Sequence, residues 1–466
     1  MSNAYQAIVI GAGPGGYPCG IRLGQLGVKT LVIEQEYWGG VCLNVGCIPS
    51  KALINAAKRY QEMVNGSQIG LVVDGTVSVN VTQLQAWKQS VVDKLTGGVR
   101  TLLKGNKVDM LVGTARIGKG NEVIVQTAEG EQRFTAPHVV LATGSAPIQI
   151  PGFDFGDAPV LDSTKALALG TIPKKLVVIG GGYIGLELGG VFAKLGTEVT
   201  VVEALDSALP GFDPDVVKVV WRRMQKDGVK GLFNHKALGW EAAKDGILVE
   251  VQGPDGKAKL EADYVLVTVG RRPNSRGLGL EDLGVAMDGP FVKVDRQMKT
   301  NVPGLYAIGD LAGQPMLAHK ATHEGELVAE VIAGHNHQFD AKTVPAVVFT
   351  DPEVAVAGLT EPECKAKKLD IKVGKVPFAA IGKAIANHDT DGFVKVIIDQ
   401  KTKLILGVTV VGAHASDIIS EAALAIEMSA EALDVGLTIH PHPTLGEGIM
   451  EAAKAALGEA IHVLNR

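Results

Sequence analysis

The 466-residue chain has few cysteines, four in all, and few aromatics, 5% of its residues. Four cysteines in so long a chain are too few for a secreted disulfide scaffold, and in a reducing compartment a close pair is more often catalytic or metal-binding than structural. Long apolar runs are absent: none approaches the ~18 uninterrupted residues of a membrane span. Met1 to Tyr5 lead straight into the apolar stretch Ala7 to Ile10, leaving no room for the charged region and apolar core of a secretory signal. The chain therefore reads as soluble, intracellular and cytoplasmic. There is no excess of positive charge either. Lys and Arg number 45 against 50 Asp and Glu, a formal net charge of -5, and the basic residues are scattered, so nucleic acid is not an expected partner.

What the chain has in abundance is glycine, 58 residues, within a composition that is 46% hydrophobic and 20% charged. That is the balance of a folded protein rich in tight turns and close backbone contacts. Its length predicts about three domains of ~100 to 200 residues each.

One pattern is written twice. Residues 5–34 read YQAIVIGAGPGGYPCGIRLGQLGVKTLVIE and residues 175–203 read KLVVIGGGYIGLELGGVFAKLGTEVTVVE. A shift of 169 positions lays Gly11, Gly13, Gly16, Leu26, Gly27 and Glu34 onto Gly180, Gly182, Gly185, Leu195, Gly196 and Glu203. Each copy is an apolar strand, a glycine-rich turn, a helix and a second strand closing on glutamate, a βαβ unit with the G-x-G-x-x-G spacing. The first glycine permits the tight turn, the second lets backbone approach a pyrophosphate, and the third lets the helix pack on its strand with its N-terminus toward phosphate. The acid that closes each unit can accept hydrogen bonds from ribose hydroxyls. Two complete units predict two bound dinucleotides, and Glu203, which would repel a 2'-phosphate, favours NAD over NADP at the second.

Between the units, residues 39–51 read GGVCLNVGCIPSK. Cys42 and Cys47 lack the two-residue gap of a zinc knuckle, and no second cysteine pair exists to complete a tetrahedral site, so no metal is expected. In a regular helix, residues five apart are separated by ~7.5 Å of rise and about 140° of rotation, beyond disulfide reach. A bridge between them requires distorted backbone, which Gly46 and Pro49 can supply. Cys19 and Cys364 stand alone and read as buried apolar filler.

Further along, Val139 to Gly144, Tyr264 to Gly270 and Gly304 to Asp310 read as strands ending in small-residue turns or an acid. From about Val344 the pattern changes to alternating strands, including Gly392 to Asp399 and Leu404 to Val411, followed by a helical stretch from Ser416 to Met428. The C-terminal part is therefore expected to be a separate α+β domain.

The cysteine segment, together with the run His440-Pro441-His442-Pro443-Thr444-Leu445-Gly446-Glu447, resembles the flavoprotein disulfide reductases over essentially the full chain, and most closely their lipoamide-oxidising branch. The resemblance implies an α/β fold with two Rossmann-like dinucleotide-binding domains and a C-terminal α+β dimerisation domain. The implied boundaries are 1–150 for FAD binding, 151–272 for NAD binding, 273–344 completing the FAD domain, and 345–466 for dimerisation. It implies catalysis by a Cys42–Cys47 disulfide, with His442 as acid/base, Glu447 as its partner, and a Lys51–Glu187 ion pair near the flavin. His440, which lacks the Pro-Thr context, is left a supporting role.

FAD contacts carried over from the family are Gly11, Gly13, Gly16, Glu34, Gly40, Lys51, Ala115, Thr143, Gly144, Ser145 and Asp310, with Met316, Leu317, Ala318 and His319 lining the flavin. NAD contacts are Gly180, Gly182, Tyr183, Gly185, Glu187, Glu203, Ala237 and Gly270. The implied enzyme is a homodimer whose active sites are shared between subunits. Its implied substrate is a dihydrolipoyl group carried by an acyltransferase or an H-protein-type carrier, in a 2-oxoacid dehydrogenase complex or the glycine cleavage system. Ser50 and Glu203 disfavour a glutathione reductase, and the absence of cysteines from Ala460 to Arg466 disfavours a mercuric reductase. Val41 stands where many relatives have threonine. Tyr183 resembles a tyrosine that covers the flavin in glutathione reductase, and so suggests a lid over the nicotinamide site.

Overall fold

The computed structural model describes residues 4–156 and 158–465; Met1 to Asn3, at the head of the chain, lie outside it. The first βαβ unit consists of strand β1 (Ala7–Ile10), helix α1 (Gly16–Gln25) and strand β2 (Thr30–Glu34). Both strands are wholly buried, as expected where a parallel sheet is covered on both faces. They form the centre of a five-stranded parallel sheet with His138–Leu141 and Leu305–Ala307 on one side and Asp109–Val112 on the other. A segment more than 270 residues downstream thus completes the first sheet, with Leu305 opposite Val139.

The second unit repeats the arrangement. Its sheet runs Lys230–Phe233, Glu198–Glu203, Lys175–Ile179, Tyr264–Val267, Val160–Leu161, all parallel. The 169-residue offset holds at the level of single contacts. Gly11 N–H donates to Ile33 O at 2.7 Å and Gly180 N–H to Val202 O at 2.9 Å. Gly11 and Gly180 have φ of +103° and +106°, open to glycine without strain. A methyl on Gly16 would stand 1.9 Å from Gly11 O, and one on Gly185 would stand 2.2 Å from Gly180 O. The third glycine of each motif is thus required by helix-to-strand packing, as the motif's logic predicts.

The C-terminal part is a five-stranded antiparallel sheet ordered 346–348, 353–358, 405–412, 393–399, 371–377. Helices Ala415–Glu427, Ala432–Leu437 and Glu447–Leu457 contribute to its own apolar core. The mixed α/β architecture is the one anticipated from the sequence. Cys19 and Cys364 are fully buried, as expected of core cysteines. No helix among the described residues is long and apolar enough to cross a membrane.

Candidate active site

The two cysteines lie at a break between helices. Helix α2 (Gly40–Val45) carries Cys42, helix α3 (Cys47–Asn65) begins at Cys47, and Gly46 between them has non-helical φ and ψ of -139° and -110°. A side chain on Gly46 would meet Val41 O at 2.9 Å. The distorted backbone demanded by the five-residue spacing is therefore present, and it brings the two sulfurs into hydrogen-bonding contact. Both are thiols in this structure.

Their acidities are driven apart. Cys47 is lowered to about 7, chiefly by the hydrogen bond from Cys42, with further help from the Lys51 ammonium against the cost of burial. Cys42 is pushed up, first by that same hydrogen bond and then by burial. Of the two, Cys47 is the sulfur that ionises first and Cys42 the one that keeps its proton. Cys47 is exposed although it sits deep among protein atoms, because the surface it presents faces a cavity. This division predicts that one equivalent of iodoacetamide alkylates Cys47 with a midpoint near pH 7. At that pH its rate should exceed that of an ordinary thiol of pKa about 8.5 by roughly three- to fourfold, once the lower nucleophilicity of the more acidic sulfur is counted. Peptide mapping that finds Cys42 labelled first would contradict the assignment.

The cavity holds about 1150 Å³ and is lined by the first glycine loop at Gly11, Gly13 and Gly15, by Glu34, and by Gly40, Cys42 and Cys47. Lys51, Ala115, Thr143, Gly144, Ser145, Asp310, Met316 and Ala318 also border it. Gly13 and Gly40 approach so closely that a methyl on Gly40 would fall 2.5 Å from Gly13 Cα. Gly16, Leu317 and His319 are not among the lining residues. Gly16 serves the helix packing described above, and the His319 ring is bonded to Pro345 O at 2.6 Å.

Glu34 and Glu203 do more than await ribose. Glu34 Oε2 accepts the Ala12 N–H at 2.7 Å, and its other oxygen accepts those of Glu36 and Tyr37. Glu203 Oε2 accepts the Gly181 N–H at 2.6 Å and Oε1 that of Leu205 at 2.8 Å. Each carboxylate ties its own glycine loop to the end of the following strand, a role that motif spacing alone does not reveal.

The second unit reaches the cavity through Tyr183 and Glu187. Gly180, Gly182, Gly185, Glu203, Ala237 and Gly270 stand around its own loop and strand ends, outside the cavity lining. Lys51 Nζ meets Glu187 Oε2 at 2.8 Å. Arg271, from the Gly-Arg-Arg-Pro-Asn run, was not singled out from the sequence. Its guanidinium binds Ser145 Oγ at 2.8 Å, and that hydroxyl donates in turn to Asp310. The run was visible in the sequence, but its target lies 126 residues away.

His442 Nδ1 lies 2.9 Å from Glu447 Oε1, and the imidazole is 77% exposed. Burial opposes ionisation of Glu447, yet the Thr444 N–H at 2.8 Å and His442 hold its carboxyl below the usual range. His440, by contrast, has both ring nitrogens engaged, with Glu421 Oε1 and Thr438 O, each at 2.8 Å. Neither His442 nor any other histidine lines the cavity among the described residues. The structure of one chain does not bring the His442–Glu447 pair to the sulfurs.

Two glycine-loop units and a cysteine pair facing one cavity define a nucleotide-dependent dithiol oxidoreductase. Residues 5–325 match the model of the pyridine nucleotide-disulphide oxidoreductases and residues 344–453 match that family's dimerisation domain, so the chain belongs to this family. Among curated proteins it is 50% identical to the dihydrolipoyl dehydrogenase of Bacillus subtilis, over 98% of this chain and 97% of that one. It is 47% identical to the dihydrolipoyl dehydrogenase of Geobacillus stearothermophilus, over 99% and 98%. Among solved structures it resembles LpdA from Mycobacterium tuberculosis, with a TM-score of 0.89 at 27% identity, covering 96% of this chain and 99% of that one.

Proposed function

We infer that the chain is an FAD-dependent oxidoreductase that oxidises protein-bound dihydrolipoyl groups to lipoyl and reduces NAD+ to NADH. The observation that carries this reading is the placement of the Cys42–Cys47 pair beside Lys51–Glu187, in the wall of the cavity that the first glycine loop lines. The cavity exceeds the ~300–1,000 Å³ usual for small-ligand sites, and its glycine floor admits close backbone approach, so its residues suit FAD. The second loop, closed by the buried carboxylate of Glu203, suits NAD rather than a 2'-phosphorylated nucleotide. The segment 273–344 belongs functionally with residues 1–150, because Asp310 borders the same cavity as Gly11. Segment 151–272 is assigned to NAD and 345–466 to dimerisation.

In the oxidised state Cys42 and Cys47 share a disulfide. His442 of the partner subunit takes a proton from the dihydrolipoyl dithiol, and the resulting thiolate attacks Cys42 Sγ. A substrate–Cys42 disulfide forms, the Cys42–Cys47 bond breaks, and Cys47 departs as the thiolate that Lys51 stabilises. The second substrate sulfur then attacks the first, and its proton passes to the departing Cys42. Lipoyl closes its ring, leaving Cys42 a thiol, Cys47 a thiolate and the first proton on His442. Bound FAD would supply the two-electron relay from this pair to NAD+.

A shared site explains why, among the described residues of one chain, no histidine lines the cavity while His442 stands open to solvent. It makes the homodimer the working unit, served by a lipoyl-bearing acyltransferase or H-protein-type carrier in the cytoplasm. Comparing NADH and NADPH turnover of the purified yellow protein with lipoamide, oxidised glutathione and mercuric ion tests the reading. Lipoamide with NADH is expected to dominate, and faster turnover of glutathione with NADPH would refute it.

A further inference from the structure

The C-terminal part of each chain also reaches the redox site of that same chain, at Phe349. This residue follows the strand Ala346–Val348, which is paired to Glu353–Gly358. Its N–H donates to Glu187 Oε1 at 2.9 Å, while Glu187 Oε2 holds Lys51. Its ring lies under the Lys51 ammonium, 4.2 Å from Nζ to the ring centre. One residue thus grips both members of the ion pair, one by backbone and the other by its aromatic face.

The position of Phe349 is itself secured. Two residues on, Asp351 binds Lys194 and lies 3.3 Å from Arg223, both in the second unit. Behind the ion pair lies a second, small cavity of about 50 Å³, bordered by Phe349, Glu187, Lys58 and Asp351. Its wall mixes these charged groups with apolar side chains such as Ile54, Val191 and Met224. Glu187 borders both cavities, whereas Phe349 borders only the small one.

We propose that Phe349 is a positioning residue for the Lys51–Glu187 pair, its N–H fixing the carboxylate while its ring holds the ammonium. A cation is attracted to the face of an aromatic ring, and an ammonium held in place acts more steadily on the nearby sulfur than one free to swing into the cavity. The titratable groups that face Cys47 are Cys42 from α2, Lys51 from α3, and Glu187 and Tyr183 from the second unit. Lys51 stabilises the Cys47 thiolate and Glu187 opposes it, the lysine having the larger effect. Loosening the lysine therefore raises the Cys47 midpoint.

The inference concerns the site proposed above and rests on that reading only for turnover; alkylation of the reduced pair reads it independently. Two variants of the FAD-loaded dimer are informative: Phe349→Met, which keeps volume but removes the ring, and pentafluorophenylalanine at 349, which keeps the ring's shape but reverses its quadrupole. In both, the pH midpoint of Cys47 alkylation is expected to rise by roughly half a unit to one unit. The rate constant kcat with dihydrolipoamide should fall roughly three- to tenfold, with KM unchanged. Phe349→Tyr, which retains the ring, should behave as the parent. A parental alkylation midpoint in either variant, measured on protein with the parental Tm, overturns the proposal, as does an equal shift in Phe349→Tyr. Should Phe349→Met fail to fold, the fluorinated protein decides. A parent that lacks dihydrolipoamide turnover yet shows the alkylation shift would refute the proposed substrate and leave the positioning role standing.

Discussion

A Cys47→Ser protein is expected to lose dihydrolipoamide-dependent NAD+ reduction by about 10⁴-fold or more, the order reached when a member of a catalytic unit is deleted. Serine oxygen cannot form the disulfide, so the substrate thiolate finds no S–S bond to break and no electrons enter the chain. Bound flavin should be retained, because Cys47 occupies the first position of α3 with its surface on the cavity and only one atom changes there. Stability should likewise stay within about 0.5 kcal/mol of the parent, as for substitutions outside the core. The companion Cys42→Ser protein separates the two sulfurs. When each variant is treated with an activated lipoyl disulfide, Cys47→Ser should form an adduct at Cys42, and Cys42→Ser should form one at Cys47. Cys42→Ala, which removes the donor altogether, should move the Cys47 midpoint above 7, because the hydrogen bond from Cys42 is the largest contribution lowering it. Stoichiometric flavin content with undiminished lipoyl turnover in Cys47→Ser would end the disulfide mechanism.

Replacing His442 by Gln is expected to lower kcat by roughly 10²- to 10⁴-fold, the range for loss of a general acid/base. The side chain is 77% exposed, so the fold and the dimer should survive, and electron transfer from NADH to a dye, which needs neither imidazole nor the cysteine pair, should be retained. The pH profile carries the sign. Without an internal base the substrate thiol must ionise by itself, so residual activity should climb as pH rises toward and past about 8.5, the range of an unperturbed thiol. The parent should level off at lower pH. A flat profile in His442→Gln would show that the imidazole does not move the proton. Glu447→Gln should cost less: it removes charge from the pair but keeps an oxygen able to accept the Thr444 N–H, which binds Glu447 Oε2 at 2.8 Å. Mixing the His442→Gln and Cys47→Ser chains tests sharing directly. A heterodimer keeps one site with both parental residues only if His442 and Cys47 come from different chains, so recovery of about half the parental activity in that species is expected.

The legible parts of this protein were those written in short-range pattern. The duplicated βαβ unit could be read because glycine positions, strand polarity and the closing acid lie within about 30 residues, the span of one such unit. The break at Gly46 could be read because helix geometry forbids a bridge between residues five apart. The His442–Glu447 contact is likewise local. The tasks that Glu34 and Glu203 share in holding their own loops were invisible, since a carboxylate with that spacing serves ribose or backbone equally well in a pattern.

By itself, then, the sequence determined the two nucleotide units and the cysteine pair, each set by backbone stereochemistry over a few turns of chain, while the pairing of His442 with Glu447 was implied only by the family resemblance. Only the tertiary structure decided which sulfur ionises first, because that depends first on the break at Gly46 that sets Cys42 to donate to Cys47, and then on burial and on Glu187 arriving from the second unit. Only it brought Arg271 to Ser145, and Phe349 to the Lys51–Glu187 pair. The physical reason is the same in each case. These contacts join elements far apart in the chain whose meeting is fixed by packing of the apolar cores, and neither a guanidinium nor a phenyl ring declares its partner until the elements that carry them are packed.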